Sequence, residues 1–171
     1  MGSWFKSVIL GLGVLLGLAP AREPPVMELR LQRDSATLYA GVELAGLPGD
    51  ELGALVRSSF TVRLELSARA GSLEARAWRE IAFDGFSYTV TVSETGGRHR
   101  TASPEAAWAI VSRFRGLPLG TMAGQDFPLT LRCKAVLSLP GDDEYDPMLF
   151  WAYKPSAALL TVDSLGEIPY Y

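Results

Sequence analysis

The sequence predicts a mainly β protein, an antiparallel β-sandwich or partly open barrel of roughly seven to nine strands with one short and one longer packing helix. Three observations carry that expectation. In residues 60–69 every even position is apolar (Phe60, Val62, Leu64, Leu66, Ala68) and every odd one polar, the period of a strand with one buried face. Asp84-Gly85 is a strong turn dipeptide, and after it Phe86, Tyr88, Val90 and Val92 alternate with Ser87, Thr89, Thr91 and Ser93. Between these two runs, entered through Ala70-Gly71-Ser72, Leu73, Ala75 and Ala77 alternate with Glu74 and Arg76, so the stretch reads as a three-stranded meander. Helices packed on one open sheet are the alternative architecture.

The remaining elements follow the same logic in chain order. Met27, Leu29 and Leu31 alternate with polar residues, Arg33-Asp34 turns the chain, and Ala36, Leu38, Ala40, Val42 and Leu44 alternate again, which makes a hairpin. Asp50 is a helix N-cap candidate, and Leu52, Leu55 and Val56 have the spacing of one helical face, so a short helix spans residues 50–58. Trp78 falls on the opposite face from Leu73, Ala75 and Ala77, which predicts either a bulge or a strand buried on both faces near Trp78-Arg79. Beyond Thr95-Gly96-Gly97, Arg98-His99-Arg100 pairs back as a short charged edge segment, a composition that discourages unwanted strand pairing. Ser103-Pro104-Glu105 opens the longer helix with a capping hydroxyl, proline at the first position and an acid in the first turn. Its apolar stripe is Trp108, Val111 and Phe114, Gly116 ends it, and residues 117–125 are read as a loop. Phe127, Leu129, Leu131, Cys133 and Ala135 then mark a long strand, 142–146 an acidic connection, 148–153 an aromatic segment apolar on both faces, and 157–162 a last strand.

Composition bounds the function. The chain has 171 residues and 48% hydrophobic content, enough for one domain with a substantial core. Lys6, the apolar stretch 8–18 and Ala19-Pro20-Ala21 have the form of an export signal cleaved after Ala21, with an uncleaved anchor as the weaker reading. The expected organisation is therefore a signal peptide (1–21), an extended leader (22–26), a single β-rich domain (27–163) and a C-terminal tail (164–171), placed in the periplasm or another extracytoplasmic compartment. Cleavage removes one Lys and no acid, taking the formal charge from −3 to −4. Such a balance argues against nucleic acid and against attraction to an anionic membrane surface, both of which need a clustered excess of Lys and Arg. The lone Cys133 can form no internal disulfide and is read as a small buried hydrophobe.

No residue cluster names a reaction. The single histidine, His99, sits between two arginines with no carboxylate placed to orient it, and no set of three or four ligands has the spacing of a zinc site. Asp142, Asp143, Glu144 and Asp146 lack the spacing of a calcium loop and read as a solvated connection. No catalytic residue, metal or cofactor is therefore assigned. Aromatic side chains are the usual anchors for partners, so the candidate contact residues are Trp78, Phe150, Trp151 and Tyr153.

The order of these features (export signal, hairpin, short helix, the strand at Phe60, a strand with Trp78, the strand opened by Phe86-Ser87-Tyr88, a basic return, and the helix at Ser103-Pro104-Glu105) resembles the exported bacterial proteins of the domain of unknown function 4390 family. The resemblance covers roughly residues 27–139; residues 146–171 do not fit the family pattern. It implies an exported bacterial β-rich protein and no activity, because that family has no established catalytic residues.

The sequence thus predicts an exported envelope protein acting as a non-enzymatic module that binds a protein partner or cell-surface component. The second reading is a carrier of a small apolar ligand or lipid, with a cavity between the sheet and the helix at Pro104. The third is an enzyme in which Asp84 converges with His99 or Arg79. An outer-membrane barrel is disfavoured by the two helices and by Pro169, and a membrane-spanning mature chain is not expected.

Overall fold

In the computed structural model, which describes residues 26–47, 49–138 and 156–165, the alternating runs become two antiparallel sheets. Their elements are β1 (Val26–Asp34), β2 (Thr37–Ala45), α1 (Gly49–Arg57), β3 (Val62–Ala70), β4 (Leu73–Phe83), β5 (Tyr88–Val92), β6 (Gly97–Thr101), α2 (Pro104–Ser112), β7 (Arg113–Thr121), β8 (Leu129–Ser138) and β9 (Ser156–Val162). One sheet has the order β1-β2-β7 and the other β6-β5-β4-β3-β8-β9. The sheets face each other across a shared core and approach along two seams, β1 beside β9 and β4 beside β7. Neither seam carries a hydrogen-bonded ladder, so the partly open barrel resolves as a sandwich.

The core is what the alternation specifies. Val62, Leu64 and Leu66 of β3, Ile81 of β4, Val90 of β5 and Leu131 of β8 point inward from the larger sheet, and Leu38, Val42 and Phe114 meet them from the smaller one. Each such side chain contributes about 1.5–3 kcal/mol by leaving water. Cys133 lies among them, 4% exposed, and burial pushes its thiol up to about 11, which keeps it a neutral core group.

The helices pack against the sheets and each other, α1 on β3 and β4 and α2 on β2 and β4 to β7. On α1 Leu52 and Val56, four apart, are fully buried. The helix ends in a Schellman motif: Phe60 N–H donates to the Leu55 carbonyl (3.2 Å), Ser59 N–H donates to the Val56 carbonyl (3.1 Å), and Ser59 takes a φ of 69°. That left-handed residue turns the chain into β3. On α2 the Ser103 hydroxyl accepts from Ala106 N–H (3.1 Å), with Pro104 in the first turn, as expected.

Three local expectations are corrected. The helix at Pro104 stops at Ser112, and Phe114 belongs to a strand, β7, that occupies much of the stretch read as a loop. The reason is a bulge: Ala40 pairs Leu117 and Val42 pairs Phe114, so β7 has one residue more than β2 there, and Gly116 at φ 72° supplies the extra residue. The extra residue interrupts the alternation of Phe114, Leu117 and Leu119, and leaves a helical spacing from Trp108 through Phe114 as the visible pattern. Second, of the two readings at Trp78-Arg79 the bulge does not occur, because β3 and β4 run in unbroken register from Val62↔Ile81 to Ala70↔Leu73; the strand is instead covered on both faces there, with Trp78 half-buried outward and Arg79 buried inward. The residue out of phase is Arg79, which sits on the core face between Ala77 and Ile81. Third, Phe86 does not begin a strand: it lies in the four-residue turn between Phe83 and Tyr88 and is 88% exposed.

Arg79 is 7% exposed and almost fully bonded. Nη2 and Nε donate to Glu94 Oε1 (2.7 and 3.3 Å), and Nη1 donates to the carbonyls of Ile110 and Arg113 at the C-terminus of α2. The guanidinium carbon lies 4.2 Å from the centroid of the Phe114 ring. The last turn of α2 carries no basic residue of its own, so Arg79 supplies from β4 the cation and donors that a helix C-terminus favours. Replacing Arg79 by Ala strands Glu94 and two carbonyls; the expected cost is about 3–5 kcal/mol in urea unfolding. The double variant Arg79→Met/Glu94→Gln, which removes both charges, should recover part of that loss.

Candidate functional site

The outward side chains of the larger sheet form the most featured surface among the described residues. Because β4, β3 and β8 pair in continuous register, their outward residues stack in rows: Glu80-Arg63-Ser138, then Trp78-Glu65-Val136, then Arg76-Ser67-Lys134, then Glu74-Arg69-Arg132. Leu159 of β9 extends the last row.

Trp78 is half-buried in the second row. The Arg63 guanidinium carbon lies 4.7 Å from its ring centroid, and Arg63 Nε donates to Glu80 Oε1 at 2.7 Å, with Nη1 at 3.6 Å from Glu65 Oε1. A cation held over the indole by two carboxylates fixes the ring against the sheet. Its backbone is fixed too. Trp78 N–H donates to Ser93 Oγ (2.7 Å) and Ser93 N–H donates to the Trp78 carbonyl (3.0 Å), which carries the β4–β5 pairing one step past the end of β5.

Beyond that point β4 has no β5 beside it, and β7 approaches with Leu117 and Pro118. The step between the end of β5 and the flank of β7 leaves an open groove of about 830 Å³, with Trp78, Arg76, Ser67, Glu74 and Lys134 among its walls. A second groove of about 640 Å³ lies at the same end of the sheet, where the β3–β4 turn meets the loop before β8, and is bordered by Arg69, Arg132 and Asp126. In that turn Gln125 Nε2 donates to Ser72 Oγ (2.8 Å), and Gly71, at φ 58°, leaves room for the glutamine amide that a Cβ would displace.

Of the expected contact residues, Trp78 lies on this surface; Phe150, Trp151 and Tyr153 lie outside the described residues, as do the acidic run 142–146 and the segment 1–21 expected to be an export signal. Asp84, Arg79 and His99, which an enzyme reading would bring together, go to different places. Asp84 sits in the exposed β4–β5 turn, where its carboxylate accepts from Phe86 N–H (2.9 Å) and Ser87 N–H (2.8 Å) and pairs with Arg100. Arg79 is in the core and pairs with Glu94, which borders the Trp78 groove, and His99 is exposed on the edge strand β6, across from Val90. Among the described residues no group of three or more His, Cys, Asp and Glu is placed to hold a metal ion, and no helix is long and apolar enough to cross a membrane.

The residues that sequence reasoning missed are Arg69, Arg132 and Lys134. Their polar, outward phase is plain in each strand. That β8 joins β3 is the part no local signal gives, and it is what puts Arg132 directly across from Arg69. No family model matches the chain, and neither a curated protein nor a solved structure is significantly similar to it.

The Asp84 turn has a defined pH signature. The two backbone N–H groups, and then Arg100, hold its carboxyl below the ordinary value of 3.8. A depressed folded value means that its stabilisation is present above the unfolded value and lost as pH falls through the folded one. The gap in urea midpoint between the unaltered chain and Asp84→Ala should therefore be constant near neutrality and shrink as pH falls below about 4.

Proposed function

We propose that this chain is a non-enzymatic binding module of the bacterial envelope, and that its contact surface is the outward face of the larger sheet around Trp78. The observation that supports it best is the Trp78 groove: a large aromatic side chain, immobilised by Arg63 on the solvent side of a strand, beside an open recess of about 830 Å³. Rigid aromatic groups with part of their surface uncovered are the usual energetic centres of protein contacts, because little side-chain freedom is lost when they are covered. The charged groups next to the indole are arginine and glutamate bonded to each other, an arrangement that holds the ring in place and shapes the surface.

Export rests on the N-terminal pattern at Lys6, residues 8–18 and Ala19-Pro20-Ala21, and membership of the domain of unknown function 4390 family rests on the order of elements around Trp78, Phe86-Ser87-Tyr88 and Ser103. Both belong to the same proposal. N-terminal sequencing of protein from a fractionated native host should begin at Arg22 and place the chain outside the cytoplasm; a cytoplasmic chain retaining Met1 rejects the envelope half.

The binding half is tested by site-directed photo-crosslinking in the native host. A photoreactive side chain at Ser67 should yield an adduct that one at Arg98, on the far edge of the sheet, does not. Trp78→Ala, with unchanged circular dichroism, should weaken the complex about thirtyfold, the loss typical of an aromatic centre. Equal adduct yield with and without Trp78 would sink this reading.

A further inference from the structure

We infer that the basic end of this outward face takes an extended polypeptide segment bearing acidic side chains at alternate positions. The inference rests on the binding reading above and names the chemistry of the partner. Arg69, Arg76, Arg132 and Lys134 are all exposed on three adjacent strands of one face, although the whole chain carries a formal charge of −3. Glu65, Glu74 and Asp126 border them. Glu74 is engaged by Arg76 at 3.0 Å and Glu65 lies 3.6 Å from Arg63, while among the described residues Asp126, Arg132 and Lys134 form no ion pair. Net charge averages over this segregation, so composition alone does not show the basic cluster.

Folding does not account for the arrangement. Arg69 and Arg132 are direct cross-strand partners, a like-charge pairing that weakens a sheet. Arg69 turns its Nε toward the Gly71 carbonyl (3.4 Å), and Glu74, which lies across from it on β4, pairs with Arg76 instead, so the repulsion is left in place. An anion across the two guanidinium groups would remove it. Arginine pairs are suited to carboxylates, which accept two parallel N–H bonds from each fork.

The spacing selects an extended chain. Arg132 and Lys134 are two apart on β8, so their side chains leave the same face about 6.8 Å apart, and an extended peptide laid along the strand presents alternate side chains at that same repeat. Such a segment would run from the Arg69–Arg132 row past Lys134 to the near rim of the Trp78 groove, where Arg76 and Lys134 stand; the groove itself also holds Glu65, Glu74 and Glu94, so the acidic positions of the segment fall at the Arg69–Arg132 end. Leu159, 69% exposed and level with Arg132, would flank it with an apolar contact. The recess favours a chain that enters it over a bilayer surface, which needs a convex or flat basic patch.

The test uses fluorescence anisotropy of the full chain with a labelled peptide of alternating Glu and Thr, beside the same peptide with Gln for Glu. The acidic peptide should bind, more weakly as salt rises, and the Gln peptide should not. Arg132→Gln/Lys134→Gln should weaken binding about tenfold or more. Arg132→Thr should lose affinity without lowering Tm, because it relieves the pairing with Arg69. The inference is overturned if the Gln peptide binds equally, if the double variant binds normally, if Arg132→Thr lowers Tm along with affinity, or if the chain binds phosphatidylglycerol vesicles in preference to the peptide. Any of these would leave the Trp78-dependent crosslink standing. Charge-dependent peptide binding with no effect of Trp78→Ala would instead keep the basic site and remove the Trp78 centre.

Discussion

One buried cation organises the part of this molecule that a regular sandwich does not explain. Arg79 occupies a core position of β4, and its guanidinium can be tolerated there only if nearly every N–H finds an acceptor. The acceptors come from three places: Glu94 after β5, the end of α2, and the first residue of β7. Satisfying one side chain therefore fixes where the β5–β6 turn, the helix and the strand stand relative to β4. The Phe114 ring stacked beneath it ties the same group to the smaller sheet. Buried ion pairs add little net stability over apolar substitutes, so the role that suits Arg79 is specificity of arrangement.

The position of β5 has a direct effect on the outer surface. It stops at Val92, and the last tie to β4 is the exchange between Trp78 and Ser93, next to Glu94 in the chain. From there β4 continues with its flank toward β7, and the groove beside Trp78 is the space that this early stop leaves. The inward bonding of Arg79 and the outward seating of Trp78 by Arg63 are thus consecutive residues of one strand serving opposite faces. One anchors the scaffold and the other holds an aromatic surface ready for contact.

Much of the fold was legible because strands with one buried face write their phase into the chain. The runs through Leu64, Val90 and Cys133 needed no tertiary information, and neither did the cap at Ser103. What failed locally did so for physical reasons. A single extra residue at Gly116 broke the alternation of β7 and left helical spacing in its place, and Trp78 drew notice that belonged to its neighbour, since an apolar group on a wet face is as anomalous in a pattern as a cation in the core. The candidate site was legible only at Trp78. Its basic half is assembled by the pairing of β3 with β8, and a register between segments far apart in the chain depends on how the sheets close rather than on any residue near Arg69 or Arg132.

That same pairing bears on how the protein assembles. Strands β3 to β6 form a meander closed by short turns, so each pairing needs only a small loop to be fixed. The strands that complete the structure are different. β8 must find β3 after the chain has passed through five intervening elements, and β7 must return to β2 across an even longer excursion. Long closures of this kind are slow compared with local ones. The meander can therefore stand as a half-built sheet, with the β3 edge and the faces of Leu64 and Leu66 open to solvent, until β8 arrives. In that interval the chain is exposed to pairing with other strands, and the time it spends there is set by the last pieces to dock rather than by the first to form.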